Sequence, residues 1–205
     1  RVRELSPAER TDFGRAPFCE AAFCKSIGVR ETAGEKGYST MERIGVRPSL
    51  DVNGIWGGYT GEGAKTIFVE GSREDSMRLV PDQDYREIGR LFAEHFRSIA
   101  PRSVRVDVEV LHGGFPYVCP TDLPAYRAAA RAVGGRSAEA SAVLFGRSIP
   151  IISTFEKELG VKSVLLGFGL DRDAIHSPNE SYGLENFLRG IETIVWFYRE
   201  FAAGR

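Results

Sequence analysis

Of the side chains here that could do chemistry, His176 stands out by its setting. It sits in the polar stretch Asp171-Arg-Asp-Ala-Ile-His-Ser-Pro-Asn-Glu180, where Pro178 restricts the backbone two residues on. A neutral imidazole on a stiff loop suits metal ligation. The plainer reading is a solvated loop histidine, and spacing alone does not decide between the two, because no second ligand stands nearby in sequence. The three cysteines, Cys19, Cys24 and Cys119, are odd in number and lack a short paired spacing. They fit neither a disulfide framework nor a thiolate zinc site, and reduced, cytoplasmic thiols are the expectation.

The elements flanking the loop have to position it. Val164-Leu-Leu-Gly-Phe168 is an unbroken apolar run, the pattern of a strand covered on both faces. Leu184, Phe187, Leu188, Ile191, Ile194, Val195 and Tyr198 recur at three- and four-residue steps, which predicts one face of a long helix. A polar loop leaving the carboxyl end of a buried strand is where open α/β sheets hold ligands. Upstream, helices are expected from Leu123 to about Val133, and from the opening Ser148-Ile-Pro-Ile-Ile, with Pro150 in the first turn, to an end at Gly160. This part has too few strands to cover a parallel sheet, so its partner strands must come from elsewhere.

The preceding part reads differently. Residues 1–47 are charged and glycine-punctuated, an irregular connection with short helical patches. Strands are expected at Ser49–Trp56, Lys65–Val69 and Asp75–Val80, with Glu70–Asp75 a poor strand former. The intervening Gly57-Gly-Tyr-Thr-Gly-Glu-Gly63 lacks the Lys-Ser/Thr ending of a phosphate-binding loop. Asp84 and Glu87 make a capping-box pattern opening a helix with apolar Ile88, Leu91, Phe92, Phe96 and Ile99. His95 reads as a boundary residue of that helix. Val104, Val106, Val108 and Val110 alternate with Arg105, Asp107 and Glu109, the pattern of a strand buried on one face. Residues 48–111 thus predict a small α+β sandwich.

Bulk properties exclude some classes. A formal net charge of −1 argues against nucleic acid as an obligate partner. No apolar run approaches the roughly 20 residues needed to span a bilayer. No signal peptide opens the sequence, and a start at Arg1 hints at truncation or processing.

Four stretches carry a resemblance: Asp51-Val-Asn-Gly-Ile-Trp-Gly-Gly-Tyr59, Met77-Arg-Leu-Val-Pro-Asp-Gln83, Ser148-Ile-Pro-Ile151 and Ala174-Ile-His-Ser-Pro-Asn-Glu180. In this order and spacing they resemble the carnosinase-like branch of the aminoacylase/dipeptidase zinc metallopeptidases. The resemblance implies a catalytic domain interrupted by a dimerising lid. It casts 1–47 as an irregular connection at the lid's start, 48–115 as lid, and 116–205 as the C-terminal segment of the catalytic domain. It implies hydrolysis of dipeptides or acyl-amino-acid amides at two zincs per complete site, with a homodimer formed through the lid. His176 then corresponds to a zinc ligand. Arg78 corresponds to the clamp on the substrate carboxylate, a task that suits a planar guanidinium. Thr66 stands near the same carboxylate, and Ser148 lies in a pocket loop, where it also suits a helix N-cap.

The family's remaining ligands and its general base lie upstream of the matching motifs. With His95, His112 and His176 as the only histidines, a two-metal cluster cannot be assembled here. The isolated chain is therefore expected to be inactive, and an upstream catalytic-domain segment is the expected partner. The alternative is a non-catalytic lid and dimerisation fragment that docks on an N-terminal partner. The sequence also departs from the family. Gly146-Arg147 puts a bulky cation before Ser148, and Ile67-Phe-Val69 replaces the usual Val-Ile-Pro after Thr66.

Overall fold

The structure, a computed structural model, describes residues 2–15, 17–59, 62–63, 70–134 and 149–204. Among them, the stretch before Ser49 carries three short helices, α1 (Pro7–Arg15), α2 (Glu20–Ile27) and α3 (Thr40–Val46). Each has a local cause. Ser6 and Glu9 cap α1 reciprocally, backbone N–H to carboxylate at 2.8 Å and backbone N–H to hydroxyl at 3.3 Å. Ser39 and Glu42 repeat the device at α3, and Gly28 ends α2 in the left-handed region at φ 74°. These Ser-x-x-Glu pairs are capping boxes; the sequence reading passed over both.

The described residues divide into two units. One comprises Arg1–Leu5, Thr32–Tyr117 and Phe145–Ser153. Its sheet pairs β1 (Ser49–Gly57) with β2 (Gly71–Arg78), antiparallel, from Ser49 opposite Arg78 to Gly57 opposite Gly71. β1 forms where expected. β2 begins and ends earlier than predicted, and it includes the polar residues read as poor strand formers. Pairing with β1 overrides their propensity, helped by an Arg73–Asp75 pair at 2.9 Å with the Arg73 guanidinium over the Phe96 ring. The strand expected at 65–69 lies outside the described residues.

Helix α4 (Tyr85–Ile99) is capped by the Asp84 carboxylate accepting from the Arg86 N–H at 2.9 Å. Its predicted capping box is half formed, because Glu87 binds Arg90 at 2.6 Å instead. The Arg86 guanidinium beside Asp84 holds that carboxyl below its ordinary value. The strand predicted over 104–110 pairs with no described strand, and Val104 and Val110 are exposed. A strand face is buried only where ladder neighbours and a covering layer exist. Here the segment is held instead by Val110, which lies where a Cβ on Gly89 would meet it at 3.1 Å, and by Arg97 donating to the Val108 carbonyl.

The second unit comprises Ser6–Glu31, Val118–Leu144 and Thr154–Arg205. Its main packing joins α5 (Pro124–Gly134) to α7 (Leu184–Ala203). Buried Ala128, Ala129 and Ala132 on α5 and Gly190 and Thr193 on α7 allow close backbone approach. Arg131 and Glu200 tie the two at 2.7 Å. In the same unit Phe13 of α1 is buried. The Tyr126 phenol is pushed up, first by burial and then by Cys119 and Asp12. In sequence between α5 and α7, α6 (Pro150–Leu159) has Pro150 in its first turn and ends at left-handed Gly160, as expected.

α7 forms as expected, but its predicted core face does not serve as one. Of the apolar set, only Ile194 is partly covered. Leu184 is 80% exposed and Tyr198 65%, with Phe187, Leu188, Ile191 and Val195 exposed between them. The α5 contact uses the small-residue side of the helix, which leaves the large-residue side outward. The mixed α/β class with a small antiparallel sheet is as expected. No helix among the described residues is long and apolar enough to cross a membrane.

Candidate functional site: the His176 loop

The loop is built from its two flanks inward. The Phe168 ring lies where a Cβ on Gly190 of α7 would meet it at 3.2 Å, so the glycine admits the ring against the helix. The Phe168 carbonyl accepts from the Asn186 side-chain amide at 2.7 Å. Gly169 follows, where a Cβ would come within 2.8 Å of Ile175. Next comes a single 3-10 turn, Asp171–Asp173. The Asp173 carboxylate, 4% exposed, accepts the Leu170 N–H at 2.8 Å. Its carbonyl accepts the Ser181 N–H at 2.9 Å, so the chain returns to where it left.

Inside that closure, the Ser177 N–H reaches the Ala174 carbonyl and the Glu180 N–H reaches the Ser177 carbonyl. Ala174, His176 and Asn179 all have positive φ, at 52°, 62° and 63°. Residues with a Cβ pay roughly 1–2 kcal/mol in that region, so the bonds from Asp173 and Asn186 must hold a conformation the backbone would not choose alone. The outcome is an exposed His176 on an anchored loop. Its side chain has no hydrogen-bond or ionic partner among the described residues.

Arg78 is held differently. It is the last residue of β2, opposite Ser49, and exposed. Two residues on, Val80 is buried, and its N–H donates to the Gln83 side chain at 3.0 Å while the Gln83 N–H returns to the Val80 carbonyl. Asp82 takes φ 67° within that turn. The guanidinium itself meets no partner among the described residues. Arg78 and His176 belong to different units. Thr66 and Ser148, with Arg147, lie outside the described residues.

The donor set of a complete metal centre is not assembled. Among the described residues no three His, Cys, Asp or Glu side chains stand together as metal ligands. His176 suits one ligand of such a centre, an exposed imidazole on a loop fixed by other residues, and it is not a centre by itself. Sequence reasoning missed Asp173 and Asn186. The available signal was positional: an Asp three residues after a loop N–H, and an Asn in the first turn of the next helix, each able to bond nearby backbone.

Comparison with known proteins gives a consistent result. The sequence profile of peptidase family M20/M25/M40 matches residues 6–200. The chain is 28% identical over 211 residues to the Cys-Gly metallodipeptidase dug1 of Schizosaccharomyces pombe, covering 99% of this chain and 44% of that protein. It is 34% identical over 152 residues to the Cys-Gly metallodipeptidase DUG1 of Candida albicans, covering 72% of this chain and 31% of that one. The solved structure of the di-peptidase Dug1p from Saccharomyces cerevisiae superposes with a TM-score of 0.78 at 26% identity, over 98% of this chain and 43% of that chain. The chain thus spans less than half the length of these relatives.

Proposed function

The chain belongs to peptidase family M20/M25/M40, and from that membership we propose that it supplies part of a metal-dependent hydrolase of dipeptides or related acyl-amino-acid amides. The observation carrying this reading is the His176 loop, an exposed imidazole presented by a backbone that its neighbours hold in an unfavourable conformation. His176 serves as one metal ligand, with zinc the metal and two ions in the complete site. When bound, such ions supply Lewis acidity toward the scissile carbonyl and acidify water. Arg78 receives the substrate's terminal carboxylate, for which a free guanidinium fork is suited. By the family resemblance, Thr66 serves near the same carboxylate and Ser148 in the loop of the substrate pocket. The remaining ligands and the general base come from an upstream catalytic-domain segment, and residues 48–115 act as a lid through which two copies pair. The three free cysteines support a reducing, cytoplasmic setting.

The test is His176→Ala in the assembled enzyme, with the metal content and the hydrolysis of Cys-Gly measured together. Both are expected to fall, activity by at least a hundredfold. Unchanged metal and unchanged turnover would remove His176 from the site.

The lack of a ligand cluster among the described residues favours a second reading, a non-catalytic lid and scaffold fragment. Dipeptide hydrolysis by the purified 205-residue chain with zinc added would contradict both the second reading and the need for upstream ligands. An assembled complex that binds metal and turns over dipeptide would exclude the second reading alone.

A further inference from the structure

We propose that the Asn53-Gly54 step of β1 is a site of self-modification, where the chain converts asparagine to aspartate and isoaspartate through a cyclic imide. The sequence has three asparagines, Asn53, Asn179 and Asn186, and only Asn53 is followed by glycine. Ring closure needs the next residue's nitrogen to reach the asparagine Cγ, and a following residue without a Cβ leaves that approach open. Glu180 and Phe187 crowd it at the other two positions. Asn186 is held further by its amide, which donates to the Phe168 carbonyl at 2.7 Å. The chemistry is independent of any hydrolase activity and needs no polypeptide beyond this chain.

The fold adds to the motif. Val52 faces Asp75 and Gly54 faces Glu74, so Asn53 is the extra residue of a β-bulge and has no partner across the ribbon. It is exposed, which admits water. A ladder residue must break its pairing before its backbone can turn, and the bulge is where this ribbon opens most readily. The Ser76 hydroxyl donates to Asn53 Oδ1 at 3.1 Å. The oxygen that gains charge as Cγ is attacked therefore already faces a donor.

The Gly54 nitrogen attacks Asn53 Cγ and gives up its proton, the new C–N bond closes a five-membered imide, and Nδ2 leaves with that proton as ammonia. Water then opens the ring. Cleavage at Cγ restores the backbone with aspartate, whereas cleavage at the main-chain carbonyl routes the chain through the side chain as isoaspartate. One water is taken up and one ammonia released, with no change of oxidation state. Either product sets a carboxylate near Asp51 on its own strand and Glu74 and Asp75 across the ribbon. One oxygen of Asp75 is already buried without a partner among the described residues. Like charges so placed weaken a ribbon. Isoaspartate also adds a carbon to the main chain, which shifts Gly54 to Gly57 against Glu74 to Gly71.

The experiment ages the purified 205-residue chain in mildly alkaline heavy-oxygen water and follows each asparagine peptide by mass spectrometry, with isoaspartate marked by its specific methyltransferase. Conversion at Asn53 should outrun that at Asn179 and Asn186 at least tenfold. Gly54→Ala should slow it at least tenfold. The added Cβ would meet the Trp56 ring at 3.1 Å, and that ring is exposed and can yield. If the variant disturbs the ribbon, Asn53→Gln makes the same test, because its longer arm closes a six-membered ring far more slowly. Ser76→Ala should slow conversion at least threefold. Asn53→Asp, which builds in one product, should unfold at lower denaturant than wild type. Equal rates at the three asparagines would overturn the proposal, as would an Asn53 rate unchanged by Gly54→Ala, or conversion confined to chain unfolded by denaturant. A wild-type rate in Ser76→Ala would overturn the hydroxyl's part, and wild-type stability in Asn53→Asp would overturn the loosening of the ribbon.

Discussion

The loop bearing His176 and the ribbon end bearing Arg78 are built to different standards. The loop is closed on itself by the carboxylate and carbonyl of Asp173, by two internal turns and by Asn186, and it holds three side-chain-bearing residues at positive φ. The ribbon end has one strained residue, Asp82, in the turn below it, and its guanidinium stands in solvent. The imidazole's placement is thus encoded by its immediate neighbours. The guanidinium's placement is left open, and ordering it on a ligand costs up to about 2 kcal/mol of rotamer freedom.

The strongest way to break this comparison is to cut the loop's anchor. Asp173→Ala removes a buried carboxylate and with it the charged acceptor of the Leu170 N–H, in a part-buried bond. It should lower stability to denaturant by about 1.5–3 kcal/mol. Asp173→Asn keeps an acceptor and should lose less. Asn186→Ala removes one neutral bond to the Phe168 carbonyl and should cost about 1 kcal/mol, with faster hydrogen exchange at the Ser177 and Ser181 amides. Arg78→Ala should stay within about 0.5 kcal/mol of wild type. Equal losses at Asp173 and Arg78 would show that the two regions are not built differently.

Much of this was legible in the sequence because the signals are local. Pro150 and Gly160 bound α6, the three- and four-residue steps predict α7, and β1 forms on its alternating run. What stayed hidden depends on partners. Periodicity reveals that α7 has an apolar face but not what covers it, so a face read as core is found in water. β2 takes its polar residues into a ladder because β1 is there to pair with them. Glu87 leaves its capping role because Arg90, one turn away, competes for it. Asp173 and Asn186 matter only because the chain returns from Ser181 to Asp173 and α7 passes Phe168, a closure that no local pattern announces. Of the four candidate site residues, Thr66 and Ser148 fall outside the described residues.

A smaller effect sharpens the comparison from the opposite direction. His176 sits at φ 62° and Asp82 at φ 67°. Glycine adopts that region without the Cβ penalty, so His176→Gly should raise stability by about 1 kcal/mol while removing the imidazole. Aspartate tolerates the left-handed region better than most residues, so Asp82→Gly should gain less. A loss of stability in His176→Gly, read by denaturant midpoint, would mean that the imidazole holds the loop, reversing the order of cause argued here.

The smallest effect concerns the start of β1, opposite Arg78. Arg47 precedes that strand and donates to the Glu35 carboxylate at 2.6 and 2.7 Å, to the Arg3 carbonyl at 3.2 Å, and lies over the Tyr38 ring. Tyr38 in turn donates to Glu4. The bond from Arg47, with its charge, holds the Glu35 carboxyl below its ordinary value of 4.5. A depressed carboxyl stabilises the fold above the unfolded value, and that contribution fades as pH falls through the lower folded value. The backbone-to-backbone bonds within the His176 loop have no proton to lose. Denaturant midpoints of wild type and Glu35→Gln should therefore differ slightly at neutral pH, the wild type being the more stable, and converge as the pH falls below the ordinary carboxylate value and through the lowered one. A separation that persists unchanged into acid would mean that the β1 anchor is held by shape and not by charge.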